Sequence, residues 1–282
     1  VQRSSSWSTE QVYLAHFALS EIDRKDFHAF ERFSRGAADL AGAHADPFQV
    51  WLYDWSVEQT AEGVYRLQAG EDGIRIDLSL KDLKGPVLQG EQGYSQKGPD
   101  PGNASYYFSQ TRLESSGRVE VSGAEYPVKG LSWMDHEFST SALTPEQVGW
   151  DWFSFQLDEG SDLMLFQIRQ VDGRIDPFSS GTLVTPDGNT MKISRDEFEI
   201  NPTDTWKSPY SGAVYPAGWE VQVPSIDLML VVTPRQADQE LNLTYTYWEG
   251  AVSIEGVYQG QTVNGNGYVE MTGYAGSFAG EF

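Results

Sequence analysis

The chain has 282 residues and carries 19 basic against 41 acidic side chains, which gives a formal net charge of −22. This charge argues against nucleic acid or an anionic membrane surface as a partner, because both attract basic proteins. The absence of cysteine excludes disulfides, thiol nucleophiles and zinc–thiolate sites, and no apolar run approaches the ~20 residues that a membrane helix needs.

Aromatic residues make up 13% of the chain, and 28 Gly and 13 Pro interrupt it. This composition favours an all-β architecture, because aromatic residues suit strands and Gly and Pro suit turns. Strand-like runs occur at 13–21, 50–58, 74–80, 106–114, 118–123, 152–157, 163–168, 226–233, 243–248 and 252–258. The turn signals between them are EDG, LDEG, VDG, PDG and NGNG.

Two further segments carry patterns that are typical of helices. Phe27, Phe30 and Phe33 have helical spacing, yet the matching segment 161–170 reads as a strand, so we predict a strand over 26–33. Residues 194–199 predict a short helix, because Ser194 and Glu197 fit a capping box.

The second half of the sequence repeats the first. The matching segments, in the same order along the chain, are 76–80 with 226–230, 119–123 with 252–256, and 128–135 with 263–270. The last pair reads V-x-G-x-x-aromatic-apolar-acid in both copies, so Trp133 corresponds to Tyr268 and Asp135 to Glu270. We therefore predict two copies of one β module.

We expect the modules to span residues 1–145 and 146–282, with a junction in the segment 140–150. An antiparallel sheet of about eight strands usually removes its edges by closing into a barrel that can hold one small ligand. The predicted fold is two tandem antiparallel β-barrels related by internal duplication. A ligand could lie inside one barrel or in a cleft between the two.

One segment, LSWMDHEFSTS, groups Asp135, His136 and Glu137 beside Trp133. All four His residues lie in the first half, and Met271 stands where His136 would be repeated. Strand alternation places Trp133, Asp135 and Glu137 on one face and His136 on the other, so an Asp–His pair would need a bulge.

The alternative interpretation of Asp135 is structural. The carboxylate could accept backbone hydrogen bonds or pair with Arg112 or Arg32, since buried carboxylates are usually paired. An Asp135 that reaches an apolar cavity without an Arg partner would favour catalysis, whereas a salt bridge would argue against it.

Other candidates come from aromatic and polar patterns. Trp51, Tyr53 and Trp55 would form an aromatic stripe on one strand face, either as core or as a ligand wall. His16 interrupts an apolar strand, a pattern that favours a hydrogen-bonded structural His over a catalytic one.

Both faces of the strand 106–114 carry polar groups. Tyr107 lies on one face, and Gln110 and Arg112 lie on the other, so this strand is predicted to border either a ligand pocket or the interface between the modules. The four His residues show no metal-ligand spacing, and motifs for nucleotide cofactors are absent from the sequence, so we predict no metal and no cofactor.

The segments YLAHFALSE, VWLYDWSVE, YYFSQTRL, YPVKGLSWMDHEFS and YWEGAVSIEG with GNGYVEMTGY resemble the AttH-like proteins, relatives of carotenoid 1,2-hydratase. The resemblance covers nearly the whole chain. It implies two tandem lipocalin-like barrels, that is, a calycin-type fold, and apolar ligands such as lipids or isoprenoids. It also implies a periplasmic or secreted location.

Hydration of a carbon–carbon double bond requires a carboxylic acid that stays neutral near pH 7, which an apolar pocket can provide. On the matching positions Asp135 would be the acid, Trp133 a wall for the carbocation, and His136 a base or an orienting group for water.

Three functions stay open at the level of sequence. The first is binding of an extended apolar small molecule with a role in lipid or isoprenoid metabolism, in which the expected ligand contacts are Trp133, Glu137, His16, Trp51, Tyr53, Tyr107, Gln110 and Arg112. The second is a cofactor-independent hydratase, isomerase or cyclase that uses a buried carboxylic acid. The third is a structural twin barrel that binds a protein partner. A versatile fold alone does not separate them.

Overall fold

The computed structural model describes residues 11–100, 102–139 and 143–277. Within these ranges the chain consists of antiparallel strands joined by turns and two short 3-10 helices, with no α-helix. The predicted all-β class is confirmed. Among the described helices, none has the length and apolar character to cross a membrane.

The first half of the chain contains a two-stranded sheet and a larger sheet. The two-stranded sheet pairs β1 (Val12–Glu21) with β2 (Asp26–Arg35). The described strands of the larger sheet are β3 (Ala41–Ala45), β4 (Phe48–Leu52), β5 (Trp55–Ala61), β6 (Val64–Glu71), β7 (Ile74–Asp82), β8 (Val87–Leu88), β9 (Tyr94–Gln96), β10 (Ala104–Val121) and β11 (Ala124–Ser139). The strand order is β11-β10-β7-β6-β5-β4-β3, and β8 and β9 pair with β10.

The second half forms another large sheet and a small one. Its described elements are β12 (Gln147–Leu157), β13 (Asp162–Gln170), β14 (Ser180–Val184), β15 (Thr190–Ser194), the 3-10 helix Arg195–Glu197, β16 (Glu199–Pro202), β17 (Thr205–Lys207), β18 (Val214–Pro216), β19 (Trp219–Val223), the 3-10 helix Pro224–Ile226, β20 (Leu228–Pro234), β21 (Glu240–Asn242), β22 (Thr246–Tyr258) and β23 (Gln261–Met271). The large sheet runs β15-β14-β13-β12-β23-β22-β20-β19-β16 with β21 beside β22, and β17 pairs with β18.

One run of strands has the same order in both large sheets. A long hairpin, β10–β11 in one and β22–β23 in the other, lies next to a preceding strand, β7 or β20. This shared order agrees with the predicted duplication. In each large sheet, the two outermost described strands do not pair with each other, so both sheets are open.

Contacts group the chain into two compact units. The first comprises the described parts of Val1–Leu19, His28–Gly85 and Arg112–Ser132, and the second those of Ser20–Phe27, Pro86–Thr111 and Trp133–Phe282. This grouping reflects contacts and does not test the boundary at residue 145, which separates the two repeated modules and stays a prediction. Of the predicted junction 140–150, residues 140–142 lie outside the described part of the chain.

Each unit has its own apolar core. The core of the first unit is small and centres on Phe17, Trp55 and Ile74. The core of the second unit is larger and includes the fully buried Phe153 and Trp219. In β12 the buried core residues alternate with the residues that face the other side of the sheet, as strand geometry requires.

The predicted strand over 50–58 is wrong, because the chain turns back within it. Leu52 pairs with Trp55, which makes β4 and β5 a hairpin closed by a two-residue turn. Tyr53 in this turn has a φ of 57°, as the first central residue of a primed two-residue turn requires. Trp51 and Trp55 therefore lie on opposite faces, and the expected aromatic stripe does not form.

Other local predictions agree with the structure. The segment 26–33 is a strand within β2 rather than a helix. At the 3-10 helix Arg195–Glu197, the backbone N–H of Ser194 donates to the Glu197 carboxylate at 2.8 Å, which is half of the predicted capping box.

The NGNG segment at 264–267 is not a turn but the middle of β23. Its glycines are needed because the neighbouring strand approaches closely. A Cβ on Gly267 would lie 2.4 Å from the Ser154 carbonyl oxygen and 2.8 Å from Phe155 Cδ1, and a Cβ on Gly265 would lie 2.6 Å from the Gln156 carbonyl oxygen. Glycine within a strand often marks such an approach.

This close approach predicts the effect of adding one methyl group. We expect Gly267→Ala to lower the free energy of unfolding by about 1–3 kcal/mol, because the backbone of β12 would have to shift. Gly130→Ala is the matched control, since Gly130 also lies in a long strand but has open space around its Cβ position. Urea denaturation measures both variants, and an equal effect of the two would contradict the steric explanation.

Candidate functional site

Residues 133–139 of the segment singled out in the sequence lie at the end of β11, within the second unit. Trp133 and Asp135 share one strand face, and the Trp133 Nε1–H donates a hydrogen bond of 2.9 Å to Asp135 Oδ1. The hydroxyl of Ser109, on the adjacent strand β10, donates to the same oxygen. Tyr107, two residues before Ser109, also contributes a side-chain hydrogen bond to this carboxyl.

A buried chain of hydrogen bonds supports the Ser109 hydroxyl. Thr182 Oγ1 donates to Gln89 Oε1 at 2.6 Å, and Gln89 Nε2 donates to Ser109 Oγ at 2.9 Å. All three side chains are buried. Since Ser109 receives a donor from Gln89, its own proton points to Asp135, and the chain fixes the direction of the last hydrogen bond.

The carboxyl of Asp135 is a weaker acid than that of an ordinary aspartate. Burial raises the pKa of its carboxyl from 3.8 to about 6, although the hydrogen bonds from Ser109, Trp133 and Tyr107 act in the opposite direction. Asp135 as a whole residue is nevertheless exposed to solvent, so solvent screening reduces the size of the pKa shift but not its direction.

Within the described part of the chain, no Lys or Arg pairs with Asp135. Arg32, one of the two predicted partners, forms ion pairs with Asp54 and Glu71 instead. Arg112, the other predicted partner, belongs to the first unit, and its carbonyl oxygen accepts a hydrogen bond from the Leu83 N–H.

Glu137 has the opposite electrostatic environment from Asp135. Its carboxylate lies 3.0 Å from Lys97 Nζ and accepts a hydrogen bond from Ser105. The Lys97 ammonium also lies 3.9 Å from the centre of the Phe166 ring. Glu137 is therefore a paired carboxylate suited to holding a charge, whereas Asp135 is suited to holding a proton.

His136 points to the other face of β11. Its ring stacks on Phe108 at 4.9 Å with an interplanar angle of 11°, and it meets Phe138 edge-on at 5.7 Å. Phe108 lies between Tyr107 and Ser109 on β10 and faces away from both by strand alternation. The structure therefore does not bring His136 to Asp135, and the predicted Asp–His pair does not form.

A second group of acidic and aromatic side chains lies on one face of β12, β22 and β23, which we call the site face. It is the face opposite the core residues Phe153 and Val269 of the same strands. The site face carries Trp150, Trp152, Tyr247, Glu249, Tyr268 and Glu270. Trp152 connects this face to the Asp135 segment, because its ring meets Trp133 edge-on at 6.1 Å and its Nε1–H donates to the Tyr107 hydroxyl at 3.1 Å.

Glu249 and Glu270 stand directly opposite each other on β22 and β23. Trp150 Nε1–H donates to Glu270 Oε1 at 2.6 Å. Burial raises the pKa of Glu249 to about 7, and burial together with the charge of Glu249 raises the pKa of Glu270 to about 8. The charges of Asp135 and Glu137 raise the pKa of Glu270 further, which shows that the two acidic groups act on each other.

Sequence reasoning identified Trp133, Asp135 and Tyr107 but not their partners Ser109 and Trp152. Glu249 and Lys97 were also missed, because nothing in their local sequence marks them. Glu270 carried a signal, since the repeat aligns it with Asp135. An acidic residue at the same position of both repeats is the pattern that could have identified Glu270.

The remaining predicted ligand contacts lie elsewhere. Gln110 is buried on the face of β10 opposite Tyr107. In the first unit, His16 Nε2 lies 3.0 Å from Glu31 Oε2. Trp51 and Tyr53 line an open cavity of about 510 Å³ together with His44, Gln49 and neighbouring polar residues. A role of these residues in ligand binding stays a prediction.

Among the described residues, no group of three His, Asp or Glu side chains is arranged to hold a metal ion. The site is instead built from carboxyl groups, indole rings and hydroxyl groups, which are suited to proton transfer and to contacts with an unsaturated molecule.

The open antiparallel sheets and their repeated hairpins define a lipocalin-like architecture, and comparison with known proteins specifies it. The sequence model of the AttH-like family matches residues 1–274. The chain belongs to the AttH-like family.

Solved structures have the same fold. The structure of an AttH protein from Nitrosomonas europaea has a TM-score of 0.86 and 34% sequence identity, over 96% of this chain and 83% of that one. The structure of kievitone hydratase from Nectria haematococca has a TM-score of 0.75 over 95% of this chain and 81% of that one. At 16% identity, the second comparison shows the fold alone.

A curated relative is more distant. Dehydratase asqC of Emericella nidulans is 21% identical over 217 residues, which cover 73% of this chain. The chain spans 60% of the length of that relative.

The hydrogen bond from Ser109 predicts a measurable change in the acidity of Asp135. We expect Ser109→Ala to raise the pKa of Asp135 above about 6, because the hydroxyl stabilises the ionised form. Carbon-13 NMR titration of the Asp carboxyls measures the change. Ser116→Ala, at an exposed position of the same strand, should leave the Asp135 pKa unchanged, and an unchanged value in both variants would contradict the assignment.

The raised pKa of Glu270 predicts a pH-dependent stability difference. The folded protein binds a proton at Glu270 up to about pH 8, whereas the unfolded chain releases it near 4.5, so ionising Glu270 destabilises the folded state across that window. Relative to the wild type, Glu270→Gln should therefore gain stability as pH rises from about 4.5 to about 8. Urea denaturation at several pH values measures this, and a constant difference would refute it.

Proposed function

We propose that this protein is a cofactor-independent hydro-lyase that adds water to, or removes water from, a small molecule, with Asp135 as the general acid. The observation that carries the proposal is the state of Asp135. Among the described residues, its carboxyl has no cationic partner. The carboxyl contacts the Trp133 indole and the Tyr107 side chain, and burial raises its pKa to about 6. A carboxyl of this kind holds a proton near neutral pH and can donate it.

The surroundings of Asp135 suit a reaction that passes through a carbocation. Protonation of a carbon–carbon double bond, or of a leaving hydroxyl group, leaves positive charge on carbon. The rings of Trp133 and Trp152 lie beside the acid, and aromatic faces attract positive charge. The Lys97–Glu137 pair is neutral overall and adds no net positive charge that would oppose the cation.

The relatives support a reaction of this class. One structural neighbour is a hydratase and one curated relative is a dehydratase, which are the two directions of the same chemistry. Both are distant from this chain, so they support the reaction class and not a substrate. The fold carries many functions, and the proposal therefore rests on the site.

Binding of an extended apolar molecule without catalysis is the second candidate. The tryptophans and tyrosines of the site favour it, since they offer a large apolar surface. Three carboxyl groups with raised pKa values count against passive binding, because burying them costs free energy that an apolar ligand does not return.

Native mass spectrometry of protein from its source, with fluorescent fatty-acid uptake, tests this candidate. An apolar ligand bound but never converted would support it over catalysis.

The identity of the substrate and the place of the protein in the cell are further proposals. An isoprenoid or other polyene fits the aromatic surface, and a periplasmic or secreted location fits the resemblance to bacterial relatives. Neither bears on the role of Asp135.

The proposed acid predicts a specific loss of activity. In water labelled with oxygen-18, a reversible hydro-lyase exchanges label into an alcohol, and a panel of tertiary and allylic alcohols with terpenoid or aromatic skeletons provides the probes. We expect Asp135→Asn to lower the exchange rate by about 10²–10⁴-fold, because the amide cannot donate a proton of comparable acidity. The wild-type kcat/KM should fall as pH rises through about 6, because Asp135 then loses its proton.

Glu125→Gln is the matched control, since Glu125 is an exposed acid on the same strand. It should exchange label at the wild-type rate. An active wild type whose Asp135→Asn variant keeps full activity and the same pH profile would disprove the assigned role.

A further inference from the structure

Glu249 and Glu270 form the one pair of directly opposed carboxyl groups on the site face that the described residues contain. Directly opposed residues of antiparallel strands have Cβ atoms about 4.5–5.5 Å apart, and like charges at that spacing repel. Neither carboxyl has a Lys or Arg partner among the described residues. Two carboxyl groups so close in a desolvated place cannot both ionise at low cost, so they retain one proton between them.

The position of the pair ties it to the proposed acid. Glu270 lies opposite Trp152 on β12, and Trp152 contacts both Trp133 and Tyr107, the neighbours of Asp135. The Trp150 indole holds Glu270 in place by its hydrogen bond. The pair and Asp135 thus border the same aromatic side chains without contacting each other through any described hydrogen bond.

We propose that Glu249 and Glu270 act as one proton-sharing pair and serve as the general base that complements Asp135 in the hydro-lyase reaction. This inference rests on the proposed function. It assigns to the pair the proton that water loses, while Asp135 supplies the proton that carbon gains.

The proton balance of the step is complete. In hydration, Asp135 gives its proton to one alkene carbon, and the electrons of the π bond form the new C–H bond. Water attacks the resulting cation, and its excess proton goes to the pair, which changes from one shared proton to two. Return of that proton to Asp135 through solvent restores the starting state, and the net reaction adds one water. Dehydration is the reverse.

The groups that face the pair determine its titration. Those with charges or titratable protons are Tyr247 on β22, Tyr268 on β23, Asp135 and Glu137 on β11, Tyr107 on β10 and Lys97, which pairs with Glu137. Tyr247 donates a hydrogen bond to Glu249 and lowers its pKa. The acidic members of this group repel charge on the pair, and the positive charge of Lys97 is offset by Glu137.

The test combines titration with activity in the full-length protein. Carbon-13 labelling of Glu carboxyls and NMR from pH 4 to 10 follow the pair in the wild type and in Glu249→Gln, Glu270→Gln and Glu255→Gln. Glu255 is an exposed acid on the same strand and face as Glu249, six residues further along, and serves as the matched control. Thermal melting confirms that each variant is folded.

We expect two linked results. In Glu249→Gln, the Glu270 midpoint should fall by about one pH unit or more, since the repelling charge is gone, and Glu270→Gln should shift Glu249 in the same direction. In oxygen-18 exchange, both variants should lose about 10²-fold in kcat with little change in KM. The wild-type rate should be highest between about pH 6 and 7, because only there do Asp135 and the pair each hold one proton in part of the molecules. Glu255→Gln should change neither readout.

The outcomes separate the inference from the proposed function. An unchanged Glu270 midpoint in Glu249→Gln would overturn proton sharing, whatever the activity. A shifted midpoint with full kcat would overturn the role as base. If the wild type exchanges no label with any alcohol, the proposed function fails and the base role fails with it, while the titration still decides whether the two carboxyls share a proton.

Discussion

The alternation of side chains along β12, β22 and β23 is the constraint on which the site depends. One face of these strands supplies core residues such as Phe153 and Val269, and the other supplies Trp152, Glu249 and Glu270. A carboxyl on the second face therefore lies against a packed sheet. Its pKa rises because the sheet that holds it also dehydrates it.

Hydrogen bonds and burial act on the pKa of Asp135 in opposite directions. A carboxyl with a full set of donors and no burial would favour its ionised form. A buried carboxyl without donors would be neutral but would adopt no fixed orientation. The donors Ser109 and Trp133 orient the group, while burial keeps the pKa close to the working range of a general acid.

Much of this arrangement could be predicted from the sequence. The all-β class, the repeated hairpins and the family follow from composition, turn signals and the motif around Trp133 and Asp135. Strand alternation alone already separated Asp135 from His136, and the stacking of His136 on Phe108 agrees with it. The repeat also aligned Glu270 with Asp135, although its chemical importance could not be inferred without knowing which side chains surround it.

Other features could not be predicted, for physical reasons. The hairpin at 52–55 contains no Gly at its turn, and Tyr53 adopts positive φ because the pairing of β4 with β5 compensates for the local cost. The glycines at 265 and 267 indicate a turn by local propensity, whereas tertiary contact with β12 makes them strand residues. The opposition of Glu249 and Glu270 is a matter of register between strands, which a single sequence does not specify.

The account depends most directly on the protonation state of Asp135 in the intact protein. A carbon-13 NMR titration of its carboxyl, assigned by its loss in Asp135→Asn, measures that state without knowledge of a substrate. The account predicts a midpoint of about 6. A midpoint at or below the ordinary aspartate value of about 3.9 would show that the hydrogen bonds outweigh burial, and it would contradict the proposal that Asp135 is a general acid.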